Sequence, residues 1–272
     1  MADLAVARER LTRLGFTVAP NGLHPFGTQN CCVYFADGTF LEPLAVADPT
    51  KTAQAALQGN VFVARNRSYR TRCGEEGFSA LVFGTDDADT DHRQFVERGV
   101  SAGDPLSFSR PFTDASGKAD VASFKLAFAA DPGAPDVLFF TCERVNAPAV
   151  DRSALQRHRN GVVRIKAVLL ATAHPKEFAR LLAEAVGTSG SEARDGLRFS
   201  ALNGDVVMAS PSEATSPRDG MLLSTIVFGV GSVPHLSAIL SDAGVDYLSE
   251  NGAVIVPAAP GQGARFIFEE LQ

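Results

Sequence analysis

The 272-residue sequence has no tryptophan, only four cysteines, and no apolar run near the roughly 20 residues that a membrane-spanning helix needs. The cysteines are Cys31, Cys32, Cys73 and Cys142. Because no C-x-x-C or zinc-knuckle spacing joins them, we expect free thiols and no structural zinc. The first residues enter an amphipathic pattern without the basic start and apolar run of a secretory signal, so we expect a cytoplasmic protein.

Positive charge is also scarce, because the sequence has 25 Lys and Arg but 31 Asp and Glu, which gives a net charge of −6. This balance gives no broad positive field for a phosphate backbone, and we expect no nucleic-acid partner. G-x-G-x-x-G and P-loop patterns are absent, which argues against a nucleotide-binding doubly wound sheet. G-x-S-x-G is absent too, which argues against acyl transfer.

Four amphipathic helix signals recur along the chain, each closed by a glycine. The first follows Asp3 as a candidate cap and ends at Gly15, and the second covers residues 88–98. The third begins near Pro175, and the fourth begins at Ser232. A recurrence at this spacing indicates a repeated structural unit.

Strand signals surround these helices in the same order each time. Apolar, β-branched runs at residues 78–84, 162–170 and 222–230 precede three of the helices. Shorter alternating segments follow each helix; they are residues 16–19, 30–35, 39–46, 106–108, 121–129, 137–145, 197–202, 206–209, 246–248, 253–256 and 264–268. The order predicts an α+β fold of four tandem βαβββ units that pair into two curled mixed sheets.

The length and the repeats predict two domains. Residues 1–155 contain units 1 and 2, and residues 156–272 contain units 3 and 4. Unit 1 begins inside its helix and lacks a first strand, so either about ten further residues precede the given start or another segment fills the gap. Unit 1 also carries an insertion at about 48–76, in which residues 49–57 have a helical pattern and four arginines follow. That arginine run is either a solvated face or a lid that binds an anionic ligand.

Several stretches of units 1 and 2 resemble glyoxalase-like proteins of the vicinal-oxygen-chelate superfamily, which includes glyoxalases, bleomycin-resistance proteins and dioxygenases. The stretches are LGFTVAP at 14–20, HPFGTQN at 24–30, GTFLE at 38–42, FFTCER at 139–144 and QRHRNG at 156–161. Their order and spacing match the family over about residues 2–172. The resemblance implies paired βαβββ units that wrap into a cup.

In metal-using relatives, the resemblance implies four ligands in that cup, two from first strands and two from last strands. Glu42 is the only position here that matches the metal-ligand pattern. The first strand of unit 1 is absent, and the first strand of unit 2 has Phe78 or Ser79 at the corresponding place. Thr141 stands where a second Glu is expected, with Glu143 two residues further on. A divalent metal therefore has an incomplete ligand set.

Three residues are candidate catalytic groups. Glu42 lies in an apolar strand, where a carboxylate is either paired or directed into a pocket; an edge carboxylate facing water is the alternative. His24 lies in a loop between strands and on the family motif, although a lone loop histidine is commonly solvated. His158 is flanked by Arg157, Arg159 and Asn160 and is explained equally by a turn at residues 160–161.

Four further residues are candidate ligand contacts: Asn30, Glu143, Arg157 and Asn160. Asn30 could orient a ligand oxygen from the start of its strand, and hydrogen bonding at a hairpin end explains it as well.

The first functional hypothesis is a glyoxalase-like lyase, isomerase or dioxygenase acting on a small oxygenated molecule. The alternative is a protein of the same fold that binds or sequesters a small molecule without converting it, which the incomplete ligand set favours. A third alternative is a scaffold whose second pair of units forms a homodimer interface.

Overall fold

The computed structural model describes residues 1–113, 119–193, 196–211 and 220–271. The helices in these ranges are α1 (Leu4–Arg13), α2 (Pro49–Leu57), α3 (Val61–Cys73), α4 (Ala88–Glu97), α5 (Ala179–Val186) and α6 (Val233–Asp242). None of the helices in this part of the chain is long and apolar enough to cross a membrane.

The strands divide among the four units. Unit 1 has β1 (Asn21–Leu23), β2 (Thr28–Cys31), β3 (Val33–Tyr34), β4 (Phe40–Leu41) and β5 (Leu44–Val46). Unit 2 has β6 (Ala80–Thr85), β7 (Leu106–Thr113), β8 (Ala119–Ala129) and β9 (Leu138–Asn146). Unit 3 has β10 (Val162–Ala171), β11 (Ser191–Ala193), β12 (Gly196–Ser200) and β13 (Asp205–Ala209). Unit 4 has β14 (Leu222–Val230), β15 (Leu248–Glu250), β16 (Ala253–Val256) and β17 (Arg265–Glu270).

Units 3 and 4 form one eight-stranded mixed sheet in the order β11-β12-β13-β10-β14-β17-β16-β15. β10 and β14, the first strands of the two units, pair antiparallel at its centre, and each pairs in parallel with the last strand of its own unit. Unit 2 repeats this order as β6-β9-β8-β7, with β6 parallel to β9. The predicted α+β fold of tandem βαβββ units is confirmed.

Unit 1 differs from the prediction in two places. No strand forms at residues 16–19, and the strand that follows α1 is instead β1, antiparallel to β2. The predicted strands at 30–35 and 39–46 are each broken, so that β2 pairs with β5 while β3 pairs with β4. Pro43 lies at the second break, where its lack of an N–H group interrupts the hydrogen-bond ladder.

The buried core crosses the predicted boundary between residues 155 and 156. One cluster joins α4 and β9 of unit 2 to α5 and β10 of unit 3, with Phe139 and Leu182 at its centre. A second cluster joins α1 of unit 1 to β14, α6 and β17 of unit 4 through Phe16 and Phe228. Because each cluster draws on both halves of the chain, the halves share their hydrophobic stabilisation, and the two-domain division stays a prediction.

Local signals set most helix ends. Asp3, Asp87 and Ser232 accept backbone hydrogen bonds at the starts of α1, α4 and α6. The third helix is an exception, because α5 begins at Ala179 and not near Pro175. The His174 carbonyl instead accepts a hydrogen bond from the Glu177 N–H, which closes a turn ahead of the helix.

The insertion in unit 1 forms α2, as expected from residues 49–57, and then α3. The sequence left open whether the four arginines of this insertion form a solvated face or a lid that binds an anionic ligand. Arg65 donates to the Val137 carbonyl at 3.0 Å, Arg70 donates to the Met1 carbonyl at 2.8 Å, and Arg72 pairs with Asp136 at 2.6 Å. Arg67 is exposed. Three of the four arginines therefore attach the insertion to the rest of the protein.

Candidate active site

The candidate site lies where the strands of unit 1 break. Asn30 is buried near the end of β2, opposite Leu44 of β5, and Glu42 lies in the break between β4 and β5. The Cys31 N–H donates to the Pro43 carbonyl at 3.2 Å across this break. The irregular backbone directs the Glu42 side chain into a cavity of about 1810 Å³.

Glu42 is held by an amide and lies close to an imidazole. Asn30 Nδ2 donates to Glu42 Oε1 at 2.7 Å, and His24 Nε2 lies 3.8 Å from the same oxygen. The Glu42 side chain is 30% exposed, and that exposed part opens into the cavity. Burial raises the pKa of the Glu42 carboxyl, while the Asn30 hydrogen bond and the positive charge of Arg110 oppose the rise. The group is thus a carboxyl that a small molecule can reach and whose neutral form is favoured by its surroundings.

His24 is packed among aromatic rings. Its ring stacks on Phe26 with centroids 5.1 Å apart and meets the rings of Phe62 and Phe108 at steep angles. Its side chain is only 7% exposed. Burial first, and then the charge of Arg110, lower the pKa of His24 to about 4. The imidazole is therefore neutral at neutral pH.

The hydrogen bonds around His24 favour one tautomer. Nδ1 lies 2.9 Å from Thr28 Oγ1. If the threonine hydroxyl donates to Nδ1, then Nε2 carries the proton and directs it toward Glu42, which suits the negative charge of that carboxylate. The His24 loop needs glycine at position 27, because Gly27 has φ +90° and an added Cβ would come within 2.7 Å of the Asp48 carbonyl oxygen.

Arg110 of β7 is a site residue that the sequence prediction missed. Its charge acts on His24 and Glu42 and on the Cys32 and Tyr34 groups beside them. An added Cβ at Gly22 would lie 2.3 Å from Arg110 Nη1 and 2.7 Å from Asn30 Oδ1, so the guanidinium and the amide converge at that point.

A period-2 signal could have found Arg110. Leu106, Phe108 and Arg110 alternate along β7, which places them on one face of the strand. The predicted strand stopped at residue 108 and so left the arginine out.

The remaining wall of the cavity is aromatic and thiol-bearing. The ring of Phe108 stacks on Phe124 at 5.2 Å, and the Arg110 guanidinium lies 5.7 Å from the centroid of the Phe124 ring. Cys32 and Cys142 also line the cavity. Burial raises the pKa of the Cys142 thiol to about 11 and raises that of Cys32 further. Both thiols are therefore protonated at neutral pH, which disfavours them as nucleophiles.

The structure does not bring His158 to His24 and Glu42. His158 Nδ1 accepts a hydrogen bond from the Thr17 N–H at 3.1 Å, and Nε2 donates to the Tyr34 carbonyl at 3.1 Å. The ring packs on the edges of Phe16 and Phe35. With both nitrogens bound to backbone groups, His158 connects the segment that leaves unit 2 to unit 1, and we remove it from the candidate catalytic group.

Arg157 and Asn160 lie in the same connection and do not line the cavity. The Arg157 carbonyl accepts a hydrogen bond from the Thr17 hydroxyl at 2.6 Å. Asn160 is fully buried; its Nδ2 donates to the Leu14 carbonyl at 2.8 Å and its Oδ1 accepts from the Val162 N–H. These contacts join the end of α1 to the start of β10. The Q-R-H-R-N-G stretch thus has a structural explanation.

Glu143 is also committed to the fold. Its Oε2 accepts a hydrogen bond from the Ala88 N–H at 3.0 Å, at the first residue of α4. A carboxylate at this position satisfies a free N–H group and interacts favourably with the helix dipole. Of the seven predicted site residues, four line the cavity, His24, Asn30, Glu42 and Glu143, and the first three of these lie in contact with one another.

A divalent metal does not fit the residues present. In the part of the chain that the structure describes, no three His, Cys, Asp or Glu side chains are placed to hold one ion. His24 and Glu42 supply two donors, and the third and fourth positions implied by the resemblance stay unfilled. We therefore derive no step of the chemistry through a metal.

Paired βαβββ units around a cavity define a class of α+β proteins that bind small molecules in a cup. A family model described as a glyoxalase-like domain matches residues 1–186, and the chain belongs to that family. No curated protein matches the sequence.

Solved structures share the fold at low sequence identity. A hypothetical protein from Staphylococcus aureus has a TM-score of 0.65 and 13% identity, covering 94% of this chain and 91% of that one. A mutant of 4-hydroxymandelate synthase from Streptomyces coelicolor has a TM-score of 0.63 and 16% identity, covering 99% and 90%. A fusion protein of a xylose isomerase-like TIM barrel and a 4-hydroxyphenylpyruvate dioxygenase has a TM-score of 0.51 and 16% identity, covering 99% and 47%.

Proposed function

We propose that the chain is a small-molecule enzyme of the isomerase or lyase type, in which Glu42 transfers a proton on an oxygenated substrate. The observation that carries this proposal is the Glu42 carboxyl, which opens into the cavity, has a raised pKa and accepts a hydrogen bond from Asn30. A carboxyl whose pKa is raised toward the working pH is suited to general acid and base catalysis.

The neighbouring groups suit a substrate with a carbonyl group. On a substrate with a hydroxyl group on the carbon next to the carbonyl, Glu42 removes the proton from that carbon. The electron pair of the broken C–H bond forms a C=C bond, and the π pair of the carbonyl moves to the carbonyl oxygen. Arg110 stabilises the negative charge on that oxygen in a poorly solvated site. Protonated Glu42 then returns the proton to the former carbonyl carbon, while the proton of the neighbouring hydroxyl group passes to the charged oxygen and a new carbonyl forms at the carbon that bore that hydroxyl; this completes an isomerisation. The reaction needs no oxidant and no metal.

Among the enzyme classes that the sequence suggests, the site favours an isomerase or lyase over a dioxygenase. Oxygenases that use non-haem iron bind it through two histidines and one carboxylate. The site supplies one histidine and one carboxylate.

The proposal is tested by proton exchange, which does not require that the physiological substrate be known. Small 2-oxo acids, hydroxyketones and hydroxyaldehydes are incubated with the protein in D₂O, and loss of the C–H signal next to the carbonyl is followed by NMR. We expect exchange on at least one compound class, and a loss of about 100-fold or more in Glu42→Gln.

A matched control is Glu97→Gln, because Glu97 is an exposed carboxylate at the end of α4, outside the cavity. Glu97→Gln should exchange at the rate of the unmodified protein. Equal exchange rates in Glu42→Gln and the unmodified protein would contradict the proposal.

The alternative is a protein that sequesters a small molecule, and the large cavity with its phenylalanine wall favours this alternative. The two functions differ in one readout. A compound that binds to a sequestering protein raises the melting temperature of the protein, and the C–H signal of the compound stays unchanged.

A further inference from the structure

Two arginines of the cavity rest on aromatic rings and have no acidic partner. The Arg110 guanidinium lies 5.7 Å from the centroid of the Phe124 ring, and the Arg152 guanidinium lies 5.2 Å from the centroid of the Tyr34 ring. Both residues are half-buried and line the cavity. In the part of the chain that the structure describes, neither guanidinium donates a hydrogen bond or forms an ion pair with the protein. A guanidinium packed on a ring keeps its in-plane N–H groups available to an acceptor.

The other arginines of the cavity differ from these two. Of the five arginines that line it among the described residues, Arg65 and Arg70 donate to backbone carbonyls and Arg144 is exposed. The fold thus accounts for the first two of these side chains, and bulk water solvates the third. Only for Arg110 and Arg152 does the described part of the protein supply a ring to rest on and no acceptor for the N–H groups.

The acidic residue next to Arg152 in the sequence does not neutralise it. The Asp151 carboxylate accepts a hydrogen bond from the Ser153 N–H at 2.8 Å. The hydrogen bonds of Ser153 lower the pKa of Asp151, and the positive charge that also lowers it is that of Arg157. Arg152 therefore keeps its charge for another acceptor.

A row of side chains joins the two arginines along the cavity wall. Asn30, Cys32 and Tyr34 are spaced two residues apart along β2 and β3, and all three line the cavity. Arg110 converges with the Asn30 amide at one end of the row, and Arg152 packs on Tyr34 at the other. Four residues of extended chain span at most about 14 Å, so one small molecule can reach from end to end.

The electrostatics of Tyr34 agree with this placement. Burial raises the pKa of the Tyr34 phenol, and the charges of Arg152 and Arg110 both oppose the rise. Both guanidinium groups are thus close enough to act on one side chain of the wall, from the two ends of the row.

The two ends of the row suit different parts of a ligand. Glu42 lies beside Asn30 at the Arg110 end, where the proposed proton transfer takes place. The Arg152 end has no titratable group placed for that transfer, and its available N–H groups match the paired oxygens of a carboxylate or phosphate. The net charge of −6 gives no general attraction for anions, so a local guanidinium has to supply it.

We propose that Arg152 binds a carboxylate or phosphate group at the far end of the substrate, which makes the substrate a hydroxycarbonyl compound with a terminal anionic group. The assignment of the substrate class rests on the proposed function, since Glu42 and Arg110 act on the hydroxycarbonyl end. Arg152 determines specificity and takes no part in the proton transfer.

The test uses unreactive diacids, so that binding is measured apart from chemistry. Diacids from succinate to suberate are titrated by calorimetry, each against its own monomethyl ester, which has the same length and one charge fewer. One carboxylate occupies the place of the charged oxygen at Arg110, and the other reaches Arg152. We expect the diacid of the best length to bind at least about 10-fold tighter than its ester.

Variants assign this preference to one residue. Arg152→Gln should bring the affinities of the diacid and the ester to within about twofold of each other, because the hydrogen bonds to the second charge are lost. Arg152→Lys keeps the charge without the planar pair of donors and should keep a weaker preference. The matched control is Arg157→Gln, because Arg157 is exposed and does not line the cavity; it should bind as the unmodified protein does. Melting temperatures show that each variant is folded.

A third set of ligands identifies the anionic group. In each diacid, one carboxylate is replaced by a phosphonate, and tighter binding of the phosphonate indicates a phosphate-bearing substrate, whereas tighter binding of the diacid indicates a carboxylate. Either preference supports the proposal if Arg152→Gln removes it.

The proposal is overturned if diacids and esters bind equally at every length, or if Arg152→Gln keeps the full preference for diacids. Proton exchange in D₂O that depends on Glu42, without a preference for diacids, overturns the anion site alone. A preference that depends on Arg152, without exchange on any hydroxycarbonyl compound, keeps the anion site and overturns the proposed enzyme.

Discussion

The depressed pKa of His24 makes a quantitative prediction about stability and pH. An ordinary histidine has a pKa of 6.5, and in the folded protein the value is about 4. Between these values the unfolded chain binds more protons than the folded one, so the free energy of unfolding falls as pH falls. The stabilising contribution is fully present above pH 6.5 and is lost progressively as pH decreases toward 4.

The size of this pH dependence of the unfolding free energy follows from the shift in the pKa of His24. A difference of about 2.5 pKa units corresponds to about 3 kcal/mol, of which about 2 kcal/mol is lost between pH 7 and pH 5. Because the His24 side chain is 7% exposed, solvent screening reduces this value little. We expect His24→Gln to remove about 2 kcal/mol of the pH dependence of the unfolding free energy over that range.

The measurement is urea unfolding at pH 5, 6 and 7. His174→Gln is the matched control, because His174 is exposed and its imidazole lies 3.8 Å from the carboxylate of Glu177 in its own segment. The comparison is repeated in a Glu42→Gln background, since the raised pKa of Glu42 makes an opposite contribution. His158, whose pKa is also lowered by burial, contributes equally to both variants. The reasoning would be refuted if the unfolding free energy of His24→Gln changed with pH as steeply as that of the unmodified protein.

Two further predictions concern Asn160 and Arg110. Asn160→Ala leaves the buried Leu14 carbonyl and Val162 N–H without partners, so we expect a loss of about 2–4 kcal/mol in unfolding free energy by urea titration. Asp37→Ala, at an exposed hairpin turn, should cost less than about 1 kcal/mol. Arg110→Gln removes a positive charge that disfavours protonated His24, so the pKa of His24 measured by NMR should rise; an unchanged value would contradict the role assigned to Arg110.

Much of the fold could be predicted because its signals are local. The periodic apolar residues, a cap such as Asp3 and a closing glycine predict a helix from a dozen neighbouring residues. The runs at 162–170 and 222–230 coincide with β10 and β14 to within one residue. The strands predicted at 16–19, 30–35 and 39–46, which are absent or broken, lie in unit 1, where the sheet is interrupted and tertiary contacts replace regular pairing.

The candidate site was predicted only in part. His24 and Asn30 lie in the stretch at 24–30 and Glu42 in the stretch at 38–42, so two neighbouring local motifs contained all three. Arg110 comes from unit 2 and reaches the same cavity through the fold alone. Dimer formation and the cytoplasmic location stay predictions.

By itself the sequence determined the repeated βαβββ units and the positions of their helices, because periodicity and capping act over one or two turns of chain. Only the tertiary structure decided the protonation states and the role of each polar residue. His24 and His158 are both histidines beside family motifs, yet His24 faces a carboxylate in a cavity and His158 binds two backbone groups. The partners of His158 are more than 100 positions away in the sequence, and Arg110 reaches His24 from another unit, so no local pattern encodes either environment.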